Sequence, residues 1–309
     1  MKKKFQKLIF PYPSYPAACD PAYPVTFLLR RVSVFSVISV VKNLGRNVVM
    51  IQTGFAWQHL IKIYDERRDI ALPGDFQATI QFSIEHFIYE ANRFIAKHGY
   101  FAVALSGGST PKAIYEGLAS KQYADKIDWS RVLLFWSDER SVPQNHPDNN
   151  YRMALEAAFG HLPLNPANIF PMRGDGDIQK NAAEYERLIE EKLPNKQFDL
   201  VMLGVGEDGH TASLFPKTHG LHPQEDLVVA NFVPQKNTWR LTLTFKCINS
   251  ANNIVIYALG KGKAEIVKRV FNGNYEPDLI PAQRIGTASH KALWVLDNDA
   301  AAALTLSNP

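Results

Sequence analysis

Residues 101–119, FAVALSGGSTPKAIYEGLA, run from five apolar residues through Ser106-Gly107-Gly108-Ser109-Thr110-Pro111 into a helical pattern. A short, unbroken apolar run that stops at glycines reads as a strand buried on both faces, the pattern of parallel sheets. The two glycines allow a ligand close to the backbone, and Pro111 suits the opening turn of a helix, where a missing N–H is no loss. Free N–H groups, hydroxyls and the positive helix end then converge on one point, which is how proteins hold phosphate. The Gly-Lys-Ser/Thr ending of a nucleotide P-loop is missing, so the expected ligand is a small phosphate monoester rather than ATP. A plain strand-to-helix turn capped by Ser109 is the competing reading.

Outward from this unit the pattern repeats. Further apolar runs lie at 132–136, 200–205, 254–259 and 292–296. Ahead of them, Ile80, Ile84, Phe87, Ile88, Ala91, Phe94 and Ile95 recur at helical spacing, with Gly99 as the stop signal. Other helical patterns end at Phe159-Gly160, cover 182–193, and run from Lys263 to Phe271 before Gly273. Strands alternating with helices predict one α/β domain over residues 50–309: a single doubly wound, mostly parallel, Rossmann-like sheet without internal repeats. Ligands of such sheets bind beyond the carboxyl ends of the strands.

The run at 132–136 ends in Ser137-Asp138-Glu139-Arg140. Charges straight after a buried strand are poorly explained by packing. Arg140 is placed to clamp an oxyanion, and Asp138 to orient a sugar hydroxyl or act as a base; a salt-bridged strand end is the bland alternative. The run at 200–205 continues as Gly206-Glu207-Asp208-Gly209-His210-Thr211-Ala212-Ser213-Leu214-Phe215. Gly204, Gly206 and Gly209 match the dinucleotide pattern G-x-G-x-x-G, but Glu207 and Asp208 would sit where a pyrophosphate must enter. An imidazole two residues after a carboxylate reads instead as a general base, His210, oriented by Asp208. Arg240 and Lys263 follow later strands. Lys263 opens a helix, where a positive charge opposes the macrodipole unless an anion lies nearby. His219 and His222 lie near His210 in sequence but have no metal-ligand spacing with other residues, so no metal site is expected.

Composition is that of an ordinary globular protein, 46% hydrophobic and 21% charged. Cys19 and Cys247 form no framework, which fits a reducing, cytoplasmic setting. The net charge of +4 is uneven, because residues 1–49 hold eight of the 34 basic residues and one of the 30 acidic ones. The remaining 260 residues are mildly acidic, which argues against a nucleic-acid partner. Residues 1–49 combine a Lys-rich tip, PYPSYPAACDPAYP, and an apolar stretch too short to span a bilayer, so no membrane partner is expected. A signal-peptide core, a transit peptide, or an upstream reading ahead of Met50 are the options. The expectation is a poorly packed, functionally silent extension, with the folded body a monomer or weak dimer.

Taken together, ALSGGSTPKAIYEGLA, WSDERSVPQNHPDNNYRMA, FDLVMLGVGEDGHTASLFP and the later RLTLTF and GKGKAE segments resemble the 6-phosphogluconolactonase family over roughly residues 62–300. That resemblance implies the fold of the related glucosamine-6-phosphate deaminases and hydrolysis of 6-phospho-D-glucono-1,5-lactone in the pentose phosphate pathway, without metal or cofactor. It implies a phosphate cradle of Ser106, Gly107, Gly108, Ser109 and Thr110 with Arg140, Arg240 and Lys263, and a catalytic His210 with Asp208 and Asp138 beside it. Where the deaminases carry a Glu five residues beyond the histidine, this chain has Phe215, which disfavours the alternative, a sugar-phosphate isomerase or deaminase. Two further rivals are a serine hydrolase acting through Ser106 and a non-catalytic sugar-phosphate sensor.

Overall fold

The computed structural model describes residues 57–223 and 225–305, and the backbone of 38–43 and 46–51. The chain divides into two units, 1–56 and 57–309. In the first, β1 (Ile38–Asn43) pairs antiparallel with β2 (Arg46–Ile51). The expected poor packing of residues 1–49 concerns side chains outside the described residues.

The second unit is an α/β body. Its strands are β3 (Ile61–Ile63), β4 (Arg68–Gly74), β5 (Phe101–Leu105), β6 (Val132–Trp136), β7 (Asp138–Arg140), β8 (Leu200–Gly204), β9 (Val228–Val233), β10 (Thr238–Leu243), β11 (Ile254–Ala258) and β12 (Ala292–Asp297). The helices are α1 (Phe76–His98), α2 (Ser109–Leu118), α3 (Asn150–Ala154), α4 (Ile178–Lys192), α5 (Phe245–Asn249) and α6 (Ala264–Asn272). The large sheet has the order β3-β4-β12-β11-β8-β5-β6, parallel except for β3 against β4. Every residue of β5 and β11 is buried, so the unbroken apolar runs and the covered parallel sheet have one cause.

The helices begin and end where local chemistry dictates. Asp75 accepts the Ala78 N–H at the start of α1, and Gly99, at φ +94°, closes it by returning its N–H to the Ile95 carbonyl. Phe87 and Phe94 of α1 pack on Phe101 of β5, joining the helix to the middle of the sheet. In α2 the helix opens at Ser109, two residues before Pro111, with Gly108 at the cap and no side-chain capping bond. Proline is tolerated there because the first turn has no intrahelical acceptors for its N–H groups. Among the described residues no helix is long and apolar enough to cross a membrane.

Two features escape the periodicity. Strand β4 carries Arg68, Asp69 and Pro73, which break the apolar pattern. Arg68 is nonetheless buried, bonded to Asp65 and to the Val270 carbonyl at 2.8 Å, with its guanidinium 4.8 Å from the Phe271 ring centre. Beside the large sheet, β7, β10 and β9 form a small antiparallel sheet. Here the charged stretch after β6 is itself a strand, and it brings Arg140 and Arg240 together.

Candidate active site

A cleft of about 230 Å³ lies beyond the carboxyl ends of β5 and β8, against the small sheet. Strand β5 delivers Ser106, Gly107 and Gly108 to it; β7 delivers Asp138 and Arg140; β10 delivers Arg240. The loop after β8 supplies Gly206 and His210, and Lys263 enters from the turn before α6. Residues distant in sequence thus meet because each follows or flanks a strand.

One side of the cleft is built for an anion. Arg140 and Arg240 stand directly opposite in the β7–β10 register, where like charges repel. Burial, and then Arg140, lower the pKa of Arg240. Among the described residues Arg240 and Lys263 make no ion pair and no side-chain hydrogen bond, and the Arg140 guanidinium donates only to the Asp148 carbonyl, at 2.7 Å. The N–H groups of Gly107 and Gly108 also find no acceptor among the described residues. Gly108 caps α2 at φ +103°, a conformation that favours glycine. Gly107 is required for a different reason, since a Cβ there would lie 2.0 Å from Asn150 Oδ1. We expect Gly107→Ala to displace Asn150 and weaken phosphate binding at least tenfold, with the fold retained; an unchanged KM would contradict this contact.

The other side holds the imidazole. His210 Nδ1 lies 2.5 Å from Asp208 Oδ1, which also accepts the His210 backbone N–H at 3.1 Å. Burial alone would raise the Asp208 pKa, but the hydrogen bond and charge of His210 outweigh it and hold the carboxyl below its ordinary value. An ionised Asp208 makes Nδ1 the donor, so Nε2 of the neutral ring carries the lone pair. The ring stacks on Phe215 with centroids 4.0 Å apart and planes at 13°. A Cβ on Gly206 would come within 2.0 Å of Nδ1, so glycine there lets the imidazole seat. Ser106 Oγ has one bond, to the Gly107 carbonyl at 3.4 Å, and none to His210. The serine–histidine contact that nucleophilic catalysis needs is not made.

Between the two sides lies Asp138, largely buried. Ser213 Oγ donates to its Oδ2 at 2.7 Å, and Asn150 Nδ2 donates to its carbonyl at 3.0 Å. Ala212, next to Ser213, adopts φ +46°, a local strain of the kind found in binding loops. Glu139, on the opposite face of β7, is completely buried. Its Oε1 accepts the N–H groups of Arg140 and Asn150, each at 2.8 Å, and its Oε2 accepts that of Tyr151 at 2.9 Å. Burial outweighs these bonds and pushes its pKa up from 4.5 to about 7.

A pH signature follows. Because the folded value of Glu139 is raised, its contribution to stability is present below pH 4.5 and is lost as pH rises through about 7. At 1.36 kcal/mol per unit this amounts to about 3 kcal/mol. His86, buried with Nδ1 unpartnered, has its pKa lowered by burial from 6.5 to about 4, so its contribution is present above 6.5 and lost as pH falls through 4. The two slopes oppose each other, so the difference between wild type and Glu139→Gln isolates Glu139. That variant should gain relative stability between pH 5 and 8 in denaturant titrations; a constant difference would contradict the assignment.

Of the residues singled out by sequence, the cleft gathers Ser106, Gly107, Gly108, Asp138, Arg140, His210, Arg240 and Lys263. Asp208 stands behind the imidazole, and Ser109 and Thr110 lie in the first turn of α2, off the lining. The sequence reading does not single out Asn150 or Ser213, nor the room Gly206 leaves for the imidazole or the stack of Phe215 on it. Asn150 had a signal, since Pro147-Asp148-Asn149-Asn150 resembles a capped helix start, and Asn149 does accept the Arg152 N–H.

A family model described as glucosamine-6-phosphate isomerases/6-phosphogluconolactonase matches residues 74–294. The 6-phosphogluconolactonase of Chlamydia pneumoniae is 40% identical over 219 residues, 70% of this chain and 83% of that relative. The solved 6-phosphogluconolactonase of Thermotoga maritima superposes with a TM-score of 0.66 at 27% identity, covering 75% of this chain and 100% of its own. A monomeric glucosamine-6-phosphate deaminase superposes with a TM-score of 0.65 at 19% identity, covering 76% and 99%, a likeness of fold.

Proposed function

As a member of the glucosamine-6-phosphate isomerase/6-phosphogluconolactonase family, the chain is an enzyme of sugar-phosphate chemistry, and we propose that it hydrolyses 6-phospho-D-glucono-1,5-lactone to 6-phospho-D-gluconate. This is the second step of the oxidative pentose phosphate pathway, which would place the enzyme in the cytoplasm. The observation that carries the reading is one cleft holding both an imidazole oriented by a carboxylate and a set of cations that make no ion pair among the described residues.

The substrate's phosphate, with about −1.5 to −2 charges, sits between Arg140, Arg240 and Lys263 at the Gly107-Gly108 turn. That anchoring energy, remote from the reacting carbon, positions C1 beside His210. Nε2 accepts a proton from water as its oxygen bonds to C1, and the carbonyl electrons move onto the exocyclic oxygen. Asp208 steadies the imidazolium that forms. As the carbonyl re-forms, the C1–O5 bond breaks and the imidazolium returns its proton to O5, giving a hydroxyl and the acid. Asp138, held by Ser213, orients a ring hydroxyl.

The Phe215 ring, stacked on His210, puts an apolar surface where proton transfer to an amino sugar would want a carboxylate. Lactone disappearance, followed against its spontaneous hydrolysis, tests the reading. We expect acceleration in proportion to enzyme and no turnover of glucosamine 6-phosphate. Turnover of the amino sugar alone would replace the lactonase with a deaminase.

A further inference from the structure

We propose that Glu139 is the positioning residue of the anion side of the cleft, holding Arg140 and the start of α3 in place through three backbone N–H bonds. The proposal deepens the lactonase reading and rests on it. A completely buried carboxylate is costly unless it is hydrogen-bonded, and an apolar residue would pack a strand at lower cost. Glu139 gathers donors from residues 140, 150 and 151, the two ends of the loop 141–149. The first N–H groups of α3 have no intrahelical acceptors, so the carboxylate satisfies two of them.

Each donor leads to the cleft. The Arg140 N–H lies on the residue whose guanidinium faces the anion side and is braced by Asp148 at the far end of the same loop. Asn150 packs its amide against Gly107 of the phosphate turn and donates to the Asp138 carbonyl. One buried carboxylate therefore ties β7, the loop and α3 to the turn after β5. His210 and Asp208 lie on a separate loop that Glu139 does not touch. Loss of its bonds should loosen phosphate binding and leave the proton transfer intact.

Glu139→Gln keeps the size but presents an NH₂ to one backbone N–H. At pH 7.5 we expect a KM for the lactone about tenfold higher, with kcat within threefold of wild type. The dissociation constant for the product, 6-phosphogluconate, measured by calorimetry, should rise by the same factor. Glu139→Asp, which keeps the charge but cannot span all three donors, should shift both constants the same way and serves if the amide variant folds poorly. Asp199→Asn is the control: Asp199 is buried at the opposite end of β5, where it accepts the Ala102 N–H, and its loss should lower stability without moving KM. Unchanged product affinity in the Glu139 variants, a fall in kcat at constant KM, or an equal KM shift in the control would overturn the proposal. A wild-type protein that neither binds the product nor hydrolyses the lactone would instead remove the functional reading.

Discussion

Replacing His210 with alanine should lower kcat by about 10²- to 10⁴-fold while KM stays within about threefold, since general acid–base help is worth that much. The reason is geometric. The imidazole has one nitrogen committed to Asp208 at 2.5 Å and one face covered by Phe215 at 4.0 Å, and Gly206 leaves room for its edge. A ring held in this way serves as a base through Nε2 and contributes little to ground-state binding. Initial rates across a range of lactone concentrations, corrected for spontaneous opening, separate the two constants. A variant with wild-type kcat would take His210 out of the reaction. A variant with a large KM change alone would make it a binding residue.

Arg240→Ala should act in the opposite way, raising KM by about 10- to 100-fold with a smaller change in kcat. A hydrogen bond to a charged group is worth about 1.5–3 kcal/mol, and Arg240 is half-buried and makes no ion pair among the described residues. Its removal also leaves Arg140 without the guanidinium that opposes it across the strands, which relieves repulsion in the empty cleft and so sharpens the loss on the bound side. The unphosphorylated lactone supplies the control. Wild type should handle it poorly, and Arg240→Ala should handle it no worse, because the missing phosphate and the missing guanidinium are the two ends of one interaction. An equal loss on both substrates would mean that Arg240 supports the structure of the cleft and not the phosphate.

The strands and the site were legible in the sequence to different depths. The buried parallel strands announce themselves because both faces are covered, so every position is apolar, as in 101–105. The motifs that follow them were legible because glycines, a proline and charges have no packing reason to stand at strand ends. Strand β4 is hidden because Arg68 and Asp69 break the apolar pattern, and the burial of Arg68 rests not only on its pair with Asp65 but on contacts far away in sequence, at Val270 and Phe271. The small sheet was hidden because β7 is three charged residues long and forms only against β10. Asn150 and Ser213 act through contacts with Gly107 and Asp138, residues 43 and 75 positions away, and no local pattern encodes such a distance. Phe215 was visible as a residue, but its stack on His210 depends on the turn at Gly209 and Ala212.

The most direct measurement is the structure of the protein bound to 6-phosphogluconate. The phosphate oxygens should lie about 3 Å from the guanidinium or ammonium groups of Arg140, Arg240 and Lys263, with C1 beside Nε2 of His210. A phosphate seated at His210, or a product bound outside this cleft, would contradict the account.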